Sequence, residues 1–341
     1  MSKPINLQLS QQDITEILLN WSLRTPTVIP TNQGTVNTTF FVEAPELGKF
    51  VFKIYNDTTT TAQIHYEHSL LQHLQSCNLS FAVPTPVISN SGETLVTINK
   101  NSKVLRAALL PLILGQPAER DNLTHIGAAG QALGELHNAL ATFDTDGKLS
   151  QLPNWGKLKD IHPLVVPLEI PQILKLEYSL RVRIINSLTE LMEVVPSLYK
   201  TLPVQTTHAD YLCPNVLVHE NQVVGILDFE FATYDLRLLD YVAALDHFTR
   251  HRAQVPSRER IEAFSTGYAK YISLTQLEVE KLIFAWRLQQ ASCIVYWTGW
   301  FLETKVTHQS VVDGVVKMLQ LEDWLQDAAK SLHFYLLKLT P

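Results

Sequence analysis

One stretch of this 341-residue chain constrains it more than any other: His208-Ala209-Asp210-Tyr211-Leu212-Cys213-Pro214-Asn215-Val216-Leu217-Val218, then, after a polar turn, Val223-Val224-Gly225-Ile226-Leu227-Asp228-Phe229-Glu230. Two short β-branched runs, VLV and VVGIL, on either side of that turn have the signature of a hairpin. A hairpin brings its open ends together. Asp210 and Asn215 before the first run, and Asp228 after the second, are therefore expected at a common edge.

A cation with a matching need lies in the first third. In Lys49-Phe50-Val51-Phe52-Lys53-Ile54-Tyr55, strand alternation puts Lys53 on the face of Val51 and Tyr55, where an ammonium wants a partner. Downstream, Glu67 falls three residues after Ile64 and four before Leu71, on the apolar face of an amphipathic helix. Each charge answers the other. Asn32 to Thr39 forms a polar turn just before the first strand. There Gly34 permits close approach of backbone N–H groups to an anion, and Asn37 and Thr38 add small polar donors.

The rest of the chain sets these residues in an α+β pattern. Ser10 and Asp13 form a capping box ahead of Ile14, Ile17, Leu18 and Trp21, predicting a first helix. Strand-like TFFVE, KFVFKIY, TLVTIN and KVLRAALLPLI enclose the helix carrying Glu67. Beyond Leu114 helical periodicities take over, as in Ile126, Leu133, Leu136 and Leu140. Thr275 with Glu278 and Ser310 with Asp313 read as later helix starts. His65 and His68 read as surface histidines, and His137 as a satisfied interior one. Trp286, Tyr296, Trp297, Trp300 and Phe301 read mainly as helical core.

Bulk properties exclude other classes. A formal charge of −6, with acids and bases intermixed, offers no basic stripe for nucleic acid. Three separated cysteines without a CxxC pair suggest neither a disulfide framework nor a zinc cage. The start of the chain has no apolar leader segment, and no stretch has the length and apolarity of a membrane span. A cytoplasmic protein without nucleic-acid or membrane partners is expected, and no feature fixes its oligomeric state.

Transfer of a γ-phosphoryl group needs a carboxylate to orient the acceptor hydroxyl, oxygen ligands for Mg²⁺ and a cation on the phosphates. Asp210, then Asn215 and Asp228, then Lys53 supply that set. The run from His208 to Leu217, the Ile226-Leu227-Asp228-Phe229-Glu230 segment and the later Asp240 resemble the aminoglycoside phosphotransferase and choline kinase superfamily, with Ala209 replacing the usual glycine. That resemblance implies a two-lobed protein-kinase-like fold. Its small β-rich N-terminal lobe would be residues 1–113, for nucleotide. Its larger, mainly helical lobe would be residues 114–341, for catalysis and substrate. It further implies ATP and Mg²⁺ as cofactors, Asp210 as catalytic base, Asn215 and Asp228 as magnesium ligands and Asp240 as a support for the loop. Lys53, held by Glu67, would bind the α- and β-phosphates, and main-chain groups near Leu112 and Ile113 would meet adenine.

Within the superfamily, DFEFA, the Asp235 to Asp240 segment and FSTGYAKYISLTQLE most resemble type II homoserine kinases. The acceptor expected on that basis is the hydroxyl of a small amine-bearing metabolite, homoserine first, with Glu230 and Asp235 near its ammonium. Aminoglycoside, choline-like or sugar acceptors stand as alternatives in the same reaction class. From other classes, a catalytically silent nucleotide-binding module and a metal-dependent hydrolase using His208 and Asp210 also stand as alternatives.

Overall fold

The computed structural model describes residues 9–31, 37–45, 47–100, 103–145, 147, 150–250 and 256–337. Gly34 lies outside them. The chain divides into two compact units, Met1–Leu114 with Thr145–Leu149 and Gly225–Glu230, and Gly115–Asp144 with Ser150–Val224 and Phe231–Pro341.

The first unit is a five-stranded antiparallel sheet with a helix on each side. Its elements are α1 (Gln11–Leu18), β1 (Thr27–Pro30), β2 (Thr38–Ala44), β3 (Gly48–Ile54), α2 (Thr61–Ser76), β4 (Val96–Lys100) and β5 (Lys103–Pro111), and the strand order is β1-β2-β3-β5-β4. The expected capping box closes α1: the Ser10 hydroxyl accepts from the Asp13 N–H at 3.1 Å, and Asp13 accepts from the Ser10 N–H at 2.8 Å. Alternation divides the sheet's faces. Val42, Phe52, Ile54, Leu105, Ala107 and Leu109 pack with Ile14, Ile17, Leu18 and Trp21. Tyr55, Ala108 and Leu110 face the other way, clustered with Ile64 of α2. Lys53 lies paired between Thr39 and Ala108 in the middle of the sheet.

The second unit comprises β6 (Gln116–Pro117), α3 (Leu123–Leu140), α4 (Ile170–Ile173), α5 (Tyr178–Thr201), β7 (Val204–Thr207), β8 (Val216–His219), β9 (Gln222–Ile226, which leaves the unit at Gly225), β10 (Thr233–Leu236), α6 (Arg237–Thr249), α7 (Arg258–Tyr268), α8 (Gln276–Leu302) and α9 (His308–Leu337). β8 and β9 are the expected hairpin, with β6 on the outer side of β8, and β7 pairs antiparallel with β10. Helices α3 and α7 meet backbone to backbone. A Cβ on Gly267 would sit 2.0 Å from the Gly127 carbonyl oxygen, so only glycine allows that approach.

Two expectations change. The last helix begins at His308, not Ser310, because the Thr307 hydroxyl accepts from the Ser310 N–H at 3.2 Å and caps it three residues earlier. His68 is an interior residue, 1% exposed, whose ring spans the Tyr55 hydroxyl at 2.8 Å and the Thr94 hydroxyl at 2.9 Å; only His65 of the pair is exposed.

Candidate active site

In the first unit the charges gather on Lys53. The middle of β3 holds its backbone, and its Nζ lies 3.2 Å from Glu67 Oε1 and 3.3 Å from Glu230 Oε2, with all three side chains nearly closed to solvent. The Tyr55 ring lies 4.9 Å from the same ammonium. Although burial alone would lower it, Glu67 and Glu230 hold the Lys53 ammonium well above its ordinary pKa. Burial raises Glu67, and Lys53 offsets part of that rise. Asp228 is pushed up to about 7, first by burial and then by the Glu230 charge, with Lys53 pulling the other way. One ammonium therefore faces three carboxylates, an excess of buried negative charge that a further cation would relieve.

Asn37 extends this constellation. Its side-chain amide donates to Glu230, and its carbonyl oxygen accepts from the Asn56 N–H at 2.9 Å. Thr38 begins β2 beside it. The Leu112 N–H donates to the Lys49 carbonyl at 3.0 Å, which closes it to other partners. The Ile113 side chain lies where a Cβ on Gly225 would intrude at 2.5 Å, so the glycine lets that side chain lie against the strand.

In the second unit the loop after β7 is built around Asp240, in the first turn of α6. Asp240 Oδ2 accepts from the His208 N–H at 2.7 Å and contacts His137 Nε2 at 3.0 Å, while Oδ1 accepts from the Ala209 N–H at 3.0 Å. The other ring nitrogen of His137 meets the Tyr268 hydroxyl at 2.8 Å, so this fully buried histidine is satisfied on both sides. Burial would raise Asp240, but His137, His208 and the backbone donors hold its carboxyl below the ordinary range. These bonds fix Ala209 at φ +62°, the left-handed conformation in which a residue with a Cβ is strained and glycine is not.

That bend presents Asp210. Its N–H donates to His208 Nδ1 at 3.1 Å, and the Asn215 amide donates to Asp210 Oδ2 and to the Asp210 carbonyl, each at 3.0 Å. A short 3₁₀ turn, Cys213–Asn215, brings the asparagine back, and the Cys213 N–H is anchored on His247 Nδ1 at 3.0 Å. With its nitrogen committed to Asp210, Asn215 keeps its amide oxygen as an acceptor.

Sequence reasoning paired Lys53 with Glu67 and Asp210 with Asn215. It placed Glu230 and Asp235 near a substrate ammonium, whereas both acids have protein partners. Glu230 meets Lys53 and Asn37, and Asp235 is 1% exposed and accepts from the Trp155 N–H and the Tyr199 hydroxyl, each at 2.5 Å.

Comparison with known sequences settles the family. The profile of the phosphotransferase enzyme family matches residues 27–273, most of the chain. The chain belongs to that family. A homoserine kinase of Phenylobacterium zucineum is 25% identical over 244 residues, 70% of this chain and 69% of the relative. Among solved structures, a microcompartment-associated aminopropanol kinase aligns with TM-score 0.64 at 16% identity over 96% of this chain and all of its own. The amicoumacin kinase hAmiN, in complex with AMP-PNP, Ca²⁺ and Ami, aligns with TM-score 0.69 at 15% identity over 92% of this chain and 94% of its own. The fold is the protein-kinase-like α+β fold of these phosphotransferases, and the enzyme is a kinase of small molecules. No helix among the described residues is long and apolar enough to cross a membrane.

Proposed function

We propose that this phosphotransferase moves the γ-phosphate of ATP to the hydroxyl of a small amine-bearing metabolite in the cytoplasm, with homoserine the favoured acceptor. The observation that carries this reading is the second-unit loop: a half-buried carboxylate, Asp210, oriented by Asn215 on a strained bend that Asp240 clamps. Strain retained in a fully hydrogen-bonded loop is a mark of functional positioning. In this reading residues 1–113 bind nucleotide and residues 114–341 carry catalysis and acceptor recognition.

Each group then has a task. Asp210 accepts a hydrogen bond from the acceptor hydroxyl, points that hydroxyl's oxygen at the γ-phosphorus and takes its proton as the new P–O bond forms and the bond from the γ-phosphorus to the β,γ-bridging oxygen breaks, releasing ADP. Lys53 binds the α- and β-phosphates. Glu67 holds it in place, and Glu230 holds it from the other side together with Asn37. Asn37, Thr38 and Gly34 cover the phosphates, and main-chain groups at Leu112 and Ile113 meet the adenine. At Leu112 the carbonyl is the usable group, since the N–H is engaged by Lys49. The amide oxygen of Asn215 and the carboxylate of Asp228 suit a hard cation such as Mg²⁺, and the surplus of buried carboxylate around Lys53 favours one. When bound, Mg²⁺ neutralises charge building on the transferred phosphoryl group.

The homoserine kinase relative and the resemblance in the DFEFA segment support the acceptor. A coupled assay of ADP release across homoserine, serine, aminopropanol, choline, aminoglycosides and simple sugars tests it. Homoserine is expected to give the highest kcat/KM. Turnover of another acceptor with homoserine silent would overturn the acceptor and keep the reaction class, and nucleotide binding with no transfer to any hydroxyl would overturn both.

A further inference from the structure

A cavity of about 340 Å³ in the second unit is lined by Pro117, Glu119, Arg120, Asp121, Cys213 and Pro214. Two of its walls carry charges without a counter-ion. Among the described residues Arg120 reaches no carboxylate within ion-pair distance; its guanidinium lies against the His247 ring, with Nη2 3.2 Å from Nδ1, hydrogen-bonds the Cys213 side chain and draws on the Asp246 charge from further off. The nearby Asp246 is already paired with Arg250 at 3.2 Å and accepts from Trp286 at 2.9 Å. The Glu119 carboxylate has no partner among the described residues; its N–H donates to His125 Nδ1 at 3.2 Å and its carbonyl accepts from the Asn122 N–H at 3.2 Å. The third charge differs, for Asp121 is held by Arg260 at 2.6 Å. The cavity thus offers a guanidinium held by His247 and Cys213 with no carboxylate at ion-pair distance, and beside it a carboxylate with no partner among the described residues.

Cys213 and Pro214 belong to the same short turn that carries Asn215 to Asp210. Whatever occupies the cavity lies against the segment that orients the proposed base. The volume is near the lower end of the roughly 300–1,000 Å³ typical of small-molecule sites, and the depression opens to solvent.

We propose that this cavity is the acceptor-recognition site and that it selects a zwitterionic hydroxy amino acid, with the substrate carboxylate on Arg120 and its ammonium on Glu119. The assignment rests on Asp210 as the group that receives the acceptor hydroxyl, and it gives a physical reason for preferring homoserine to amino alcohols, which lack the carboxylate. Arginine suits that task because its planar fork binds a carboxylate through two parallel hydrogen bonds.

The test is a set of kcat/KM values for Arg120→Met and Glu119→Gln with three acceptors: homoserine, 3-aminopropan-1-ol, which lacks the carboxylate, and 4-hydroxybutanoate, which lacks the ammonium. The KM for ATP is measured alongside, and thermal melts verify folding. For Arg120→Met, the homoserine value should fall by about 10- to 100-fold, the scale of one lost charged hydrogen-bond pair, while 3-aminopropan-1-ol changes little. Glu119→Gln should weaken homoserine and spare 4-hydroxybutanoate. Direct titration of homoserine into wild type should give binding heat that Arg120→Met loses. If wild type phosphorylates homoserine and both variants keep its kcat/KM, or lose all acceptors equally, or change mainly the KM for ATP, the cavity assignment falls and the kinase reading stands. If wild type phosphorylates no hydroxyl compound, both fall.

Discussion

The Asp240 clamp gives the sharpest quantitative expectation. In Asp240→Asn one carboxylate oxygen becomes an NH₂ group, and whichever way the amide turns, a donor faces a donor. With its oxygen placed toward His208 and His137 it abandons the Ala209 N–H; turned the other way it abandons two partners. At least one partly buried N–H is left unsatisfied, at about 1–3 kcal/mol, and the retained bonds lose their ionic assistance. Relief of the buried charge offsets little of this, because the Asp240 carboxyl sits below its ordinary pKa despite full burial. The expected loss is about 2–4 kcal/mol in urea unfolding at neutral pH. The folded-state pKa is depressed, so the clamp contributes fully above the unfolded carboxylate pKa and fades as pH falls through the folded value; wild type and variant should converge in acid. Turnover should fall as well, since the bend that presents Asp210 loses its hold on Ala209. Loss of less than about 0.5 kcal/mol, the scale of a surface substitution, with kcat intact would refute the clamp.

Other outcomes follow from the same contacts. Gly267→Ala forces a methyl group into the Gly127 carbonyl and should cost about 1–3 kcal/mol or more by overpacking, seen as a lower urea midpoint. Lys53→Met removes the one ammonium from between Glu67 and Glu230 and should cost about 3–5 kcal/mol, besides raising the KM for ATP; Glu67→Gln should cost less, because Glu230 still holds the lysine. Asp235 is raised to about 6, first by burial, with its hydrogen bonds opposing the rise. The folded state therefore holds its proton more tightly than the unfolded chain, and wild-type stability should fall as pH rises from about 4 to about 6 on this group's account. Asp235→Asn should flatten that slope by about 2 kcal/mol, whatever its uniform effect on stability, and an unchanged slope would contradict the interior assignment.

What was legible in the sequence is what local periodicity dictates. Lys53 and Glu67 each sit on a face set by the repeat of their own strand or helix, so their pairing was readable from the chain. Asp210 and Asn215 are five residues apart around a proline-containing turn, a spacing that short-range geometry closes. Glu230 was harder. It reaches Asn37 across 193 positions, and no local repeat indicates that a carboxylate beside Asp228 will turn toward β3. Asp235 misleads for a related reason: an acid soon after Asp228 reads as a partner for a substrate ammonium, and only the tertiary arrival of Trp155 and Tyr199 makes it interior. His68 became interior in the same way, through Tyr55 and Thr94. The strands at Thr27–Pro30, Val204–Thr207 and Thr233–Leu236 are four residues each, too short for alternation to show.

The central claim is that Asp210 receives the acceptor's proton while Lys53 handles the phosphates. Single-turnover phosphorylation of homoserine by Asp210→Ala, with nucleotide affinity measured on the same preparation, tests it most directly. The rate should fall by at least about 10²- to 10⁴-fold, the usual weight of a positioned base, with ATP affinity changed only a few-fold. A variant that transfers phosphate at close to the wild-type rate, or one whose only defect is nucleotide binding, would contradict it.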